Sequence, residues 1–465
     1  MRDAKHSSKE DELTEREWSN CHQVRMAVLL AGIWLVSAAA GYATGLRLGS
    51  ARVEITPPLG YPMEGYESRK SGSAGVHDPL YARVVVVKSA ETSIAFVACD
   101  LVGFVSEPVV KGAREKFGIE HVLISSSHTH GGPKTSIWDS YEVAGPDRTW
   151  PTPQNSWYAA TEEKILRAIG EASRKLEPVT LVPALGFVYI GYNRRKMDDA
   201  GNVKMLWSNP DRKPTHPIDP RIGLLIFKDG RGNVRAVIVN YACHAVVLGP
   251  DNLQISADYP GVMCDYVEKQ LGGNATCLFV QGAAGDINPY DATLPVKEGA
   301  FEAVRKTGLA IGEKVVEAVK QASPQKGGED RIQVKHDVLE FPHRWKPEKK
   351  VRVGMDTILF GPNLAIVTIP GEPFVDLQLD LAAKSEVEYT FLFGYTYTGD
   401  GQWADYLPTI QAAAEGGYGA GYNTFIGLGA GEALVDHAII NLYQMTGHDF
   451  RQMLDVLVEE VQKSH

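Results

Sequence analysis

Two kinds of hydrophobic pattern alternate along most of the chain. Short apolar runs rich in Val, Ile and Phe recur, namely ARVVVVKS, SIAFVACD, HVLISSS, VTLVPALGFVYIG, RIGLLIFKDG, VRAVIVNYACH, TCLFVQG, LAIVTIPG and YTFLFGYT. β-Branched and aromatic residues in runs of this length predict buried strands. The DGRGN between two of these runs predicts a hairpin turn, because Gly and Asn tolerate positive φ.

Segments with helical periodicity lie between the predicted strands. In TEEKILRAIGEASRKL, the side chains of Ile165, Ile169, Ala172 and Leu176 recur at steps of four, three and four and so line one helix face. Similar segments are FEAVRKTGLAIGEKVVEAVKQA, FVDLQLDLAAKS and GEALVDHAIINLYQM. Strands alternating with helices indicate an α/β fold, and we expect mixed, largely parallel sheets flanked by helices.

The composition is that of a globular body with a packed interior. The chain has 465 residues, of which 44% are hydrophobic and 22% charged, enough for one large domain or two fused ones. Its formal net charge is -10, and it contains no long run of Lys or Arg. The sequence shows no basic patch that could bind the phosphates of a nucleic acid, so we expect no nucleic-acid partner.

The amino-terminal segment differs from this body. Residues 1–25 are highly charged, and Met26 is an alternative start because this leader is acidic rather than basic. Residues 26–45 are uncharged and end in small residues, which is typical of an export signal cleaved near Ala40 to Ala43. If retained, the same segment would serve as a membrane anchor. We expect a single globular domain over residues 50–465, located outside the cytosol.

The cysteines give no sign of redox chemistry. Of the five, Cys21 lies in the leader, and the others occupy apolar stretches without CxxC spacing. This pattern predicts buried thiols rather than disulfides or metal ligands. The predicted buried thiols are Cys99, Cys243, Cys264 and Cys277.

Four polar signatures each follow directly on a strongly apolar run. They are SSSHTHGGP after HVLI, NYACHAV after VRAVIV, QGAAGDINP after TCLFV, and IPGEP after LAIVT. In open α/β sheets, ligands bind beyond the carboxyl ends of the strands. We therefore expect these signatures to converge in one crevice at the strand ends, although they are far apart in sequence.

The histidines and the glutamate of these signatures suit a metal site. His128 and His130 are two residues apart, so on an extended backbone both project from the same face. Hydrolytic zinc sites take about three ligands from His, Glu and Asp and leave a position for water, and His244 and Glu372 lie at matching strand ends. Taken singly, each motif also has an ordinary structural explanation. The HxH pair would lie in a loop, His244 would be a histidine packed in the core, and PGE would be a turn.

The glycine-rich signature QGAAGDINP admits two interpretations. Its free N–H groups would suit a phosphate, but it lacks the Lys-Ser/Thr of a P-loop. We therefore interpret it as a backbone turn that brings Asp286 and Asn288 to the crevice, where they would shape the pocket.

The signatures also form an ordered series over roughly residues 50 to 430: EITPPLG, LYARVVVV, SSSHTHGGP, YNRR, NYACH, QGAAGDINP, IPGE, and DYLPT followed by EGGY. This series resembles that of the neutral/alkaline ceramidases, which are zinc amidases that cleave the N-acyl bond of ceramide. The resemblance implies one zinc ion per chain, with four ligands: His128, His244, Glu372 and Tyr406. It also implies that His130 either supports the metal ligands or polarises the substrate, that Arg194 lines the active site, and that Tyr406 is placed to donate to a developing oxyanion.

Two departures from the family pattern matter. Where the ceramidases typically have GDVSP, this chain has GDINP, so Asn288 excludes a serine nucleophile and leaves metal-activated water as the attacker. The chain also ends soon after MLDVLVEEVQKS, and we expect the carboxy-terminal β-sandwich of the ceramidases to be absent.

Three functional hypotheses follow. The first is a zinc-dependent hydrolase that cleaves the amide of N-acylsphingosine or a related N-acyl lipid by metal-activated water. The second keeps the metal but acts on a smaller, soluble amide or ester. The third is an exported binding protein that has lost catalysis. All three take a small-molecule or lipid ligand, and residues 26–45 would provide any membrane association.

Overall fold

The structure, a computed structural model, describes residues 45–135, 156–323, 331–448 and 463. Its strands are β1 Leu46–Glu54, β2 Gly75–Val76, β3 Tyr81–Lys88, β4 Ser93–Cys99, β5 His121–Ser126, β6 Glu177–Phe187, β7 Gly191–Asn193, β8 Arg195–Met197, β9 Val203–Met205, β10 Arg221–Lys228, β11 Val234–Tyr241, β12 Gln254–Ile255, β13 Thr276–Gln281, β14 Ile287–Pro289, β15 Ile332–His343, β16 Lys346–Phe360, β17 Leu364–Thr368, β18 Glu372–Pro373, β19 Tyr389–Phe393, β20 Thr396–Tyr397 and β21 Tyr406–Leu407. Its helices are α1 Glu107–Phe117, α2 Ser156–Arg174, α3 Asp258–Gln270, α4 Ala300–Gln321, α5 Val375–Lys384, α6 Ile410–Glu415 and α7 Ala430–Met445.

The larger sheet has nine strands, in the order β13-β11-β10-β6-β1-β3-β4-β5-β20. It is mixed, as expected, but the prediction that it is largely parallel is wrong. The pairs β11–β13 and β4–β5 are parallel, whereas the other neighbours are antiparallel. The reason lies in the connections: α3 and α1 provide the two crossovers that parallel pairing needs, and connections as short as β3–β4 and β10–β11 permit only hairpins.

A second sheet, in the order β15-β16-β17-β19, packs face to face with the first. Apolar side chains of both sheets form one shared core, with Phe96 and Leu225 from the larger sheet and Ile366 and Phe391 from the smaller. Helices α1 to α4 contribute to the cores on the outer face of the larger sheet. Helices α5 and α7 contribute to the core on the outer face of the smaller sheet. The described residues therefore form four layers, α/β/β/α.

Several local predictions are confirmed. In α2, the predicted inner face is buried at Ile165, Ile169 and Ala172. The DGRGN turn joins β10 to β11 as a hairpin, closed by a bond from the Asp229 amide to the Asn233 carbonyl at 2.9 Å. The four cysteines of the described body are free and buried, so its sulfur chemistry is that of packed thiols.

The predicted leader and the predicted export segment fall on residues 1–44 and so lie outside the described residues, apart from Gly45. In the ranges that are described, every helix is too short or too polar to cross a bilayer. The absence of a carboxy-terminal β-sandwich and the position outside the cytosol stay predictions.

Candidate metal centre

The two histidine-bearing signatures meet because the larger sheet curls. Strand β13, at one end of the sheet, contacts β3, β4 and β5 near the other end. His128 lies just beyond β5 and His244 just beyond β11, which is the neighbour of β13. A hydrogen bond from the amide of His130 to the carbonyl of Ala245, at 3.3 Å, joins the two loops directly.

His128 and His244 are held in the same way. Nδ1 of His128 lies 2.7 Å from the carbonyl oxygen of Val102, and Nδ1 of His244 lies 2.6 Å from that of Ala284. A carbonyl only accepts, so each Nδ1 must carry the proton. Each Nε2 is left with its lone pair free, and this is the arrangement in which a backbone carbonyl orients a metal-binding imidazole.

The two Nε2 atoms point at one carboxylate oxygen. Glu372 Oε2 lies 3.4 Å from Nε2 of His128 and 3.3 Å from Nε2 of His244. Tyr395 fixes this oxygen by donating its hydroxyl across 3.2 Å. Three donor atoms from three distant segments therefore converge on one point.

His130 joins the cluster from the side. Its Nε2 lies 3.3 Å from Nε2 of His128, and candidate ligand atoms of the three histidines all lie within 4.8 Å of one another. The ring of Tyr66 packs edge-on against His130, with centroids 4.8 Å apart, and Arg69 donates to its carbonyl oxygen at 2.9 Å. His130 thus lies next to the converging donor atoms, and Tyr66 and Arg69 hold it in place.

Tyr406 is brought to the site by a two-stranded ladder. Strand β18 pairs in parallel with β21, and Glu372 lies directly opposite Tyr406 in this register. The hydroxyl of Tyr406 accepts a hydrogen bond of 3.2 Å from Nη2 of Arg194. Tyr406 and Arg194 are therefore placed beside Glu372, whose carboxylate contacts His128 and His244.

The electrostatics of the cluster favour a cation. Burial lowers the pKa of His130 well below its usual value, and burial together with the charge of Arg194 lowers that of His244 to about 4. Burial acts to raise the pKa of Glu372, but the adjacent His128 and His244 outweigh it, and the pKa lies well below its usual range. Near neutral pH, His130 and His244 are therefore neutral imidazoles and Glu372 is a carboxylate.

One buried atom is unsatisfied without a cation. His244 is fully buried, and its Nε2 makes no well-formed hydrogen bond with any group in the described residues. Buried polar atoms normally have a partner, so each exception needs an explanation. A divalent metal ion among His128, His244 and Glu372 provides one, and this mixed nitrogen and oxygen donor set suits zinc and other first-row ions.

Arg194 is buried beside the cluster, and its charge is spread over polar and aromatic neighbours. Its Nη2 donates to the carbonyl oxygen of Gly285 at 2.6 Å, and its Nη1 to Oδ1 of Asn288 at 3.4 Å. Burial opposes the charge, but Tyr406 and Tyr418 raise the pKa of Arg194 overall. The guanidinium is therefore a fixed cation that contacts the Tyr406 hydroxyl.

Asp286 has a different environment from the other predicted pocket residues. One carboxylate oxygen accepts from Nδ2 of Asn193 at 2.6 Å, and the other accepts from the amide of Val375 at 2.9 Å, at the start of α5. Burial raises its pKa to about 6. Its side chain thus ties the QGAAGDINP turn to α5 rather than pointing at the histidines.

Sequence patterns alone did not single out Gln281 or Tyr395, yet both support the cluster. Nε2 of Gln281 donates to the carbonyl oxygens of Ser127 and Cys243, at 2.9 and 2.7 Å. These are the residues just before His128 and His244. The one sequence feature that could have identified Gln281 is its position as the last residue of the apolar strand TCLFVQ.

Comparisons with known proteins identify the family of the chain. The sequence model described as "Neutral/alkaline non-lysosomal ceramidase, N-terminal" matches residues 46–322. This chain belongs to the neutral/alkaline ceramidase family. The resemblance noted in the sequence is thereby confirmed.

Among curated relatives of this ceramidase-family chain, the neutral ceramidase of Pseudomonas aeruginosa is 26% identical over 307 residues, which cover 61% of this chain and 43% of that protein. The neutral ceramidase of Drosophila melanogaster is 23% identical over 263 residues, covering 52% and 36%. Neutral ceramidase B of Dictyostelium discoideum is 26% identical over 257 residues, covering 51% and 34%. The chain thus spans less than half the length of these relatives.

Solved structures show the same fold. A structure titled "Ceramidase complexed with C2" superposes with a TM-score of 0.70 at 18% identity, covering 86% of this chain and 75% of that one. The neutral ceramidase of Pseudomonas aeruginosa superposes with a TM-score of 0.67 at 18% identity, covering 86% and 74%. The α/β architecture of this ceramidase-family chain is therefore that of the ceramidase structures.

Proposed function

We propose that this protein is a zinc-dependent hydrolase that cleaves the amide bond of an N-acyl lipid, with ceramide as the first substrate to test. The observation that carries the proposal is the convergence of two imidazoles on one carboxylate oxygen. Oε2 of Glu372 lies 3.4 Å from Nε2 of His128 and 3.3 Å from Nε2 of His244. Family membership supports the choice of an amide, and the neutral ceramidases among the relatives support the choice of ceramide.

The residues that would hold the ion are those whose donor atoms meet. His128, His244 and Glu372 supply two imidazole nitrogens and a carboxylate oxygen, and Tyr406, opposite Glu372, would complete the set. A bound zinc ion lowers the pKa of a coordinated water toward about 7 and polarises a carbonyl group. These donor atoms form one binding site, so we expect one ion per chain.

The remaining side chains would act on the substrate and its protons. Burial raises the pKa of Tyr406 well above its usual value, so its phenol keeps its proton. A protonated phenol beside the Arg194 guanidinium is suited to donate to the negative charge that develops on the carbonyl oxygen. His130, neutral and next to His128, would orient the carbonyl group or accept a proton.

The scheme assigns no nucleophile to position 288. Asn288 is buried and its carboxamide contacts Arg194 and the carbonyl of Trp207. An amide nitrogen or oxygen is a poor nucleophile, so water is the attacking group.

The first experiment combines elemental analysis with a substrate panel on the full chain. Purified protein should contain about one zinc ion per chain and should hydrolyse ceramide presented with detergent. His128→Ala should remove both the metal and turnover. His437→Ala is the matched control, because that histidine lies on α7, pairs with Asp337, and is away from the cluster.

The same panel separates the alternatives. Turnover of short-chain amides or esters in preference to ceramide would favour the smaller, soluble substrate. A folded protein that binds zinc but turns over nothing would favour a binding protein. Full activity in His128→Ala would exclude the metal mechanism.

A further inference from the structure

A row of aromatic rings leads from the surface to the candidate centre. Trp207 is 45% exposed, and its ring packs edge-on against Tyr418, with centroids 5.4 Å apart. Tyr418 packs in the same way against Tyr406, at 5.3 Å. The guanidinium of Arg194 lies 5.4 Å from the rings of both Trp207 and Tyr418. Trp207 and Tyr418 thus form one side of the approach to Tyr406.

The backbone that carries Trp207 is held at several points by the site itself. The amide of Leu206 donates to the carbonyl oxygen of Arg194 at 2.8 Å, and the hydroxyl of Tyr192 donates to the carbonyl oxygen of Leu206 at 2.8 Å. Nδ2 of Asn288 donates to the carbonyl oxygen of Trp207 at 3.3 Å. A half-exposed indole is therefore carried by a segment that several hydrogen bonds hold in place.

Asn288 is the side chain that joins this segment to the site. Its Oδ1 accepts from Nη1 of Arg194, and its Nδ2 donates to the carbonyl of Trp207. Only a side chain with an acceptor and a donor at its two branches makes both contacts at once. Serine, the residue of the ceramidase pattern at this position, has one hydroxyl on a shorter side chain and cannot span the two partners.

We propose that Asn288 is a positioning residue that fixes Trp207 as a rigid wall of the approach, and that this wall selects substrates by the bulk of the group beside the amide. The inference rests on the proposed hydrolysis of an N-acyl substrate. A fixed aromatic wall rejects added bulk because a rigid surface cannot yield without loss of packing. Asn288 acts through Trp207 and does not touch the reacting atoms.

The first test measures how firmly the backbone around Trp207 is held, and it does not require enzymatic turnover. Hydrogen exchange of the full chain, read by mass spectrometry, should show faster exchange over residues 205–209 in Asn288→Ser than in the parent. Asn288→Asp keeps an acceptor for Arg194 but loses the donor to Trp207, so it should show the same change. Asn202→Ser, in an exposed turn between β8 and β9, is the control and should not.

The second test measures selection. Two N-acyl amides share one acyl chain and carry either an unbranched or a branched amine. Asn288→Ser and Trp207→Ala should each reduce the preference for the unbranched amine by about tenfold, through KM on the branched substrate. The zinc content should stay at the parent level, because the metal ligands are untouched.

The outcomes are separable from those of the proposed function. The proposal is contradicted if hydrogen exchange over residues 205–209 is unchanged in Asn288→Ser. It is also contradicted if the preference for the unbranched amine is unchanged in both Asn288→Ser and Trp207→Ala. A change in Asn288→Ser without one in Asn288→Asp places the effect at Arg194 and also overturns it. Absence of any turnover in the parent protein contradicts the proposed hydrolysis, while the exchange result still decides whether Asn288 fixes the Trp207 segment.

Discussion

His128 and Tyr395 both adopt left-handed backbone conformations, with φ of 62° and 55°. Residues other than glycine rarely occupy this region, and each such residue costs on the order of 1 kcal/mol. The amide of His128 donates to the carbonyl of Leu101 at 2.8 Å, and the carbonyl of Tyr395 accepts from Ser126 at 3.0 Å. The two rings then meet, with centroids 4.5 Å apart. Two of the left-handed residues therefore lie where the candidate ligands are oriented.

Gly65 is required for the position of His130. Its φ is +100°, and a Cβ at this position would lie 2.3 Å from Cγ of His130. Gly65→Ala should displace the imidazole and lower kcat by about tenfold or more, while zinc content is retained, because His130 is not among the proposed ligands. Steady-state kinetics and elemental analysis check this.

Gly201→Ala is the matched control for that variant. Gly201 also has a positive φ, of +80°, but a Cβ there would meet nothing within 4 Å. It reproduces the backbone strain without the clash and should leave kcat unchanged. Loss of zinc in Gly65→Ala would show instead that His130 binds the metal.

Gln281 should be needed to hold the two histidine loops together. Gln281→Leu keeps much of the volume but leaves the carbonyl oxygens of Ser127 and Cys243 without their donor. A buried unsatisfied carbonyl costs about 1–3 kcal/mol, so the free energy of unfolding should fall by a few kcal/mol and zinc should bind more weakly. Denaturant unfolding and zinc titration measure the two effects. The exposed Gln411→Leu serves as control, and equal losses in both variants would contradict the assignment.

At the scale of elements, strongly apolar runs were predicted well and polar or interrupted ones were not. Each of the nine apolar runs is a strand, and the four periodic segments are helices. Helix α3 was missed because Pro260 and Gly261 stand in its first turn, where they weaken the helical pattern. The long β15–β16 hairpin was missed because its outer half is exposed and rich in charge.

The pair His336 and Asp356 should make the stability of this hairpin depend on pH. They lie directly opposite each other on β15 and β16, with Nδ1 of His336 2.6 Å from Oδ1 of Asp356. That hydrogen bond raises the pKa of His336 against the effect of burial. Because the folded pKa exceeds the unfolded value of about 6.5, this stabilisation is complete below that value and is lost as the pH rises through the folded pKa.

His336→Gln should therefore flatten the dependence of the unfolding free energy on pH above about 6.5, lowering stability at pH 6 more than at pH 9. Denaturant unfolding at a series of pH values measures this. The exposed His448→Gln is the control, and an unchanged slope in His336→Gln would show that the pair contributes no pH dependence.

At the scale of the whole molecule, the candidate centre combines residues from both sheets. His128 and His244 extend from the larger sheet, whereas Glu372 follows β17 of the smaller sheet. An ion held by all three would be bound by the folded chain and not by the unfolded one, since these segments are far apart in sequence. Metal binding therefore should stabilise the entire described body rather than one loop.

Zinc should raise the thermal midpoint of unfolding, and a chelator should lower it. At a free concentration of about one hundred times the dissociation constant, linkage contributes about 2.7 kcal/mol. Differential scanning calorimetry should show a rise of several degrees in the parent protein and none in His128→Ala. An equal rise in both would place the stabilising metal elsewhere.

The sequence by itself determined which segments are strands and helices, and that His128, His244 and Glu372 each stand just beyond an apolar strand. These features depend on local patterns of side chains, which a single stretch of chain contains. Only the tertiary structure decided the predominantly antiparallel order, the curl that brings β13 to β5, and the register of Glu372 against Tyr406. Gln281, Tyr395 and Trp207 gain their roles from those arrangements, because strand order and register follow from the packing of distant faces and from the length of the connections.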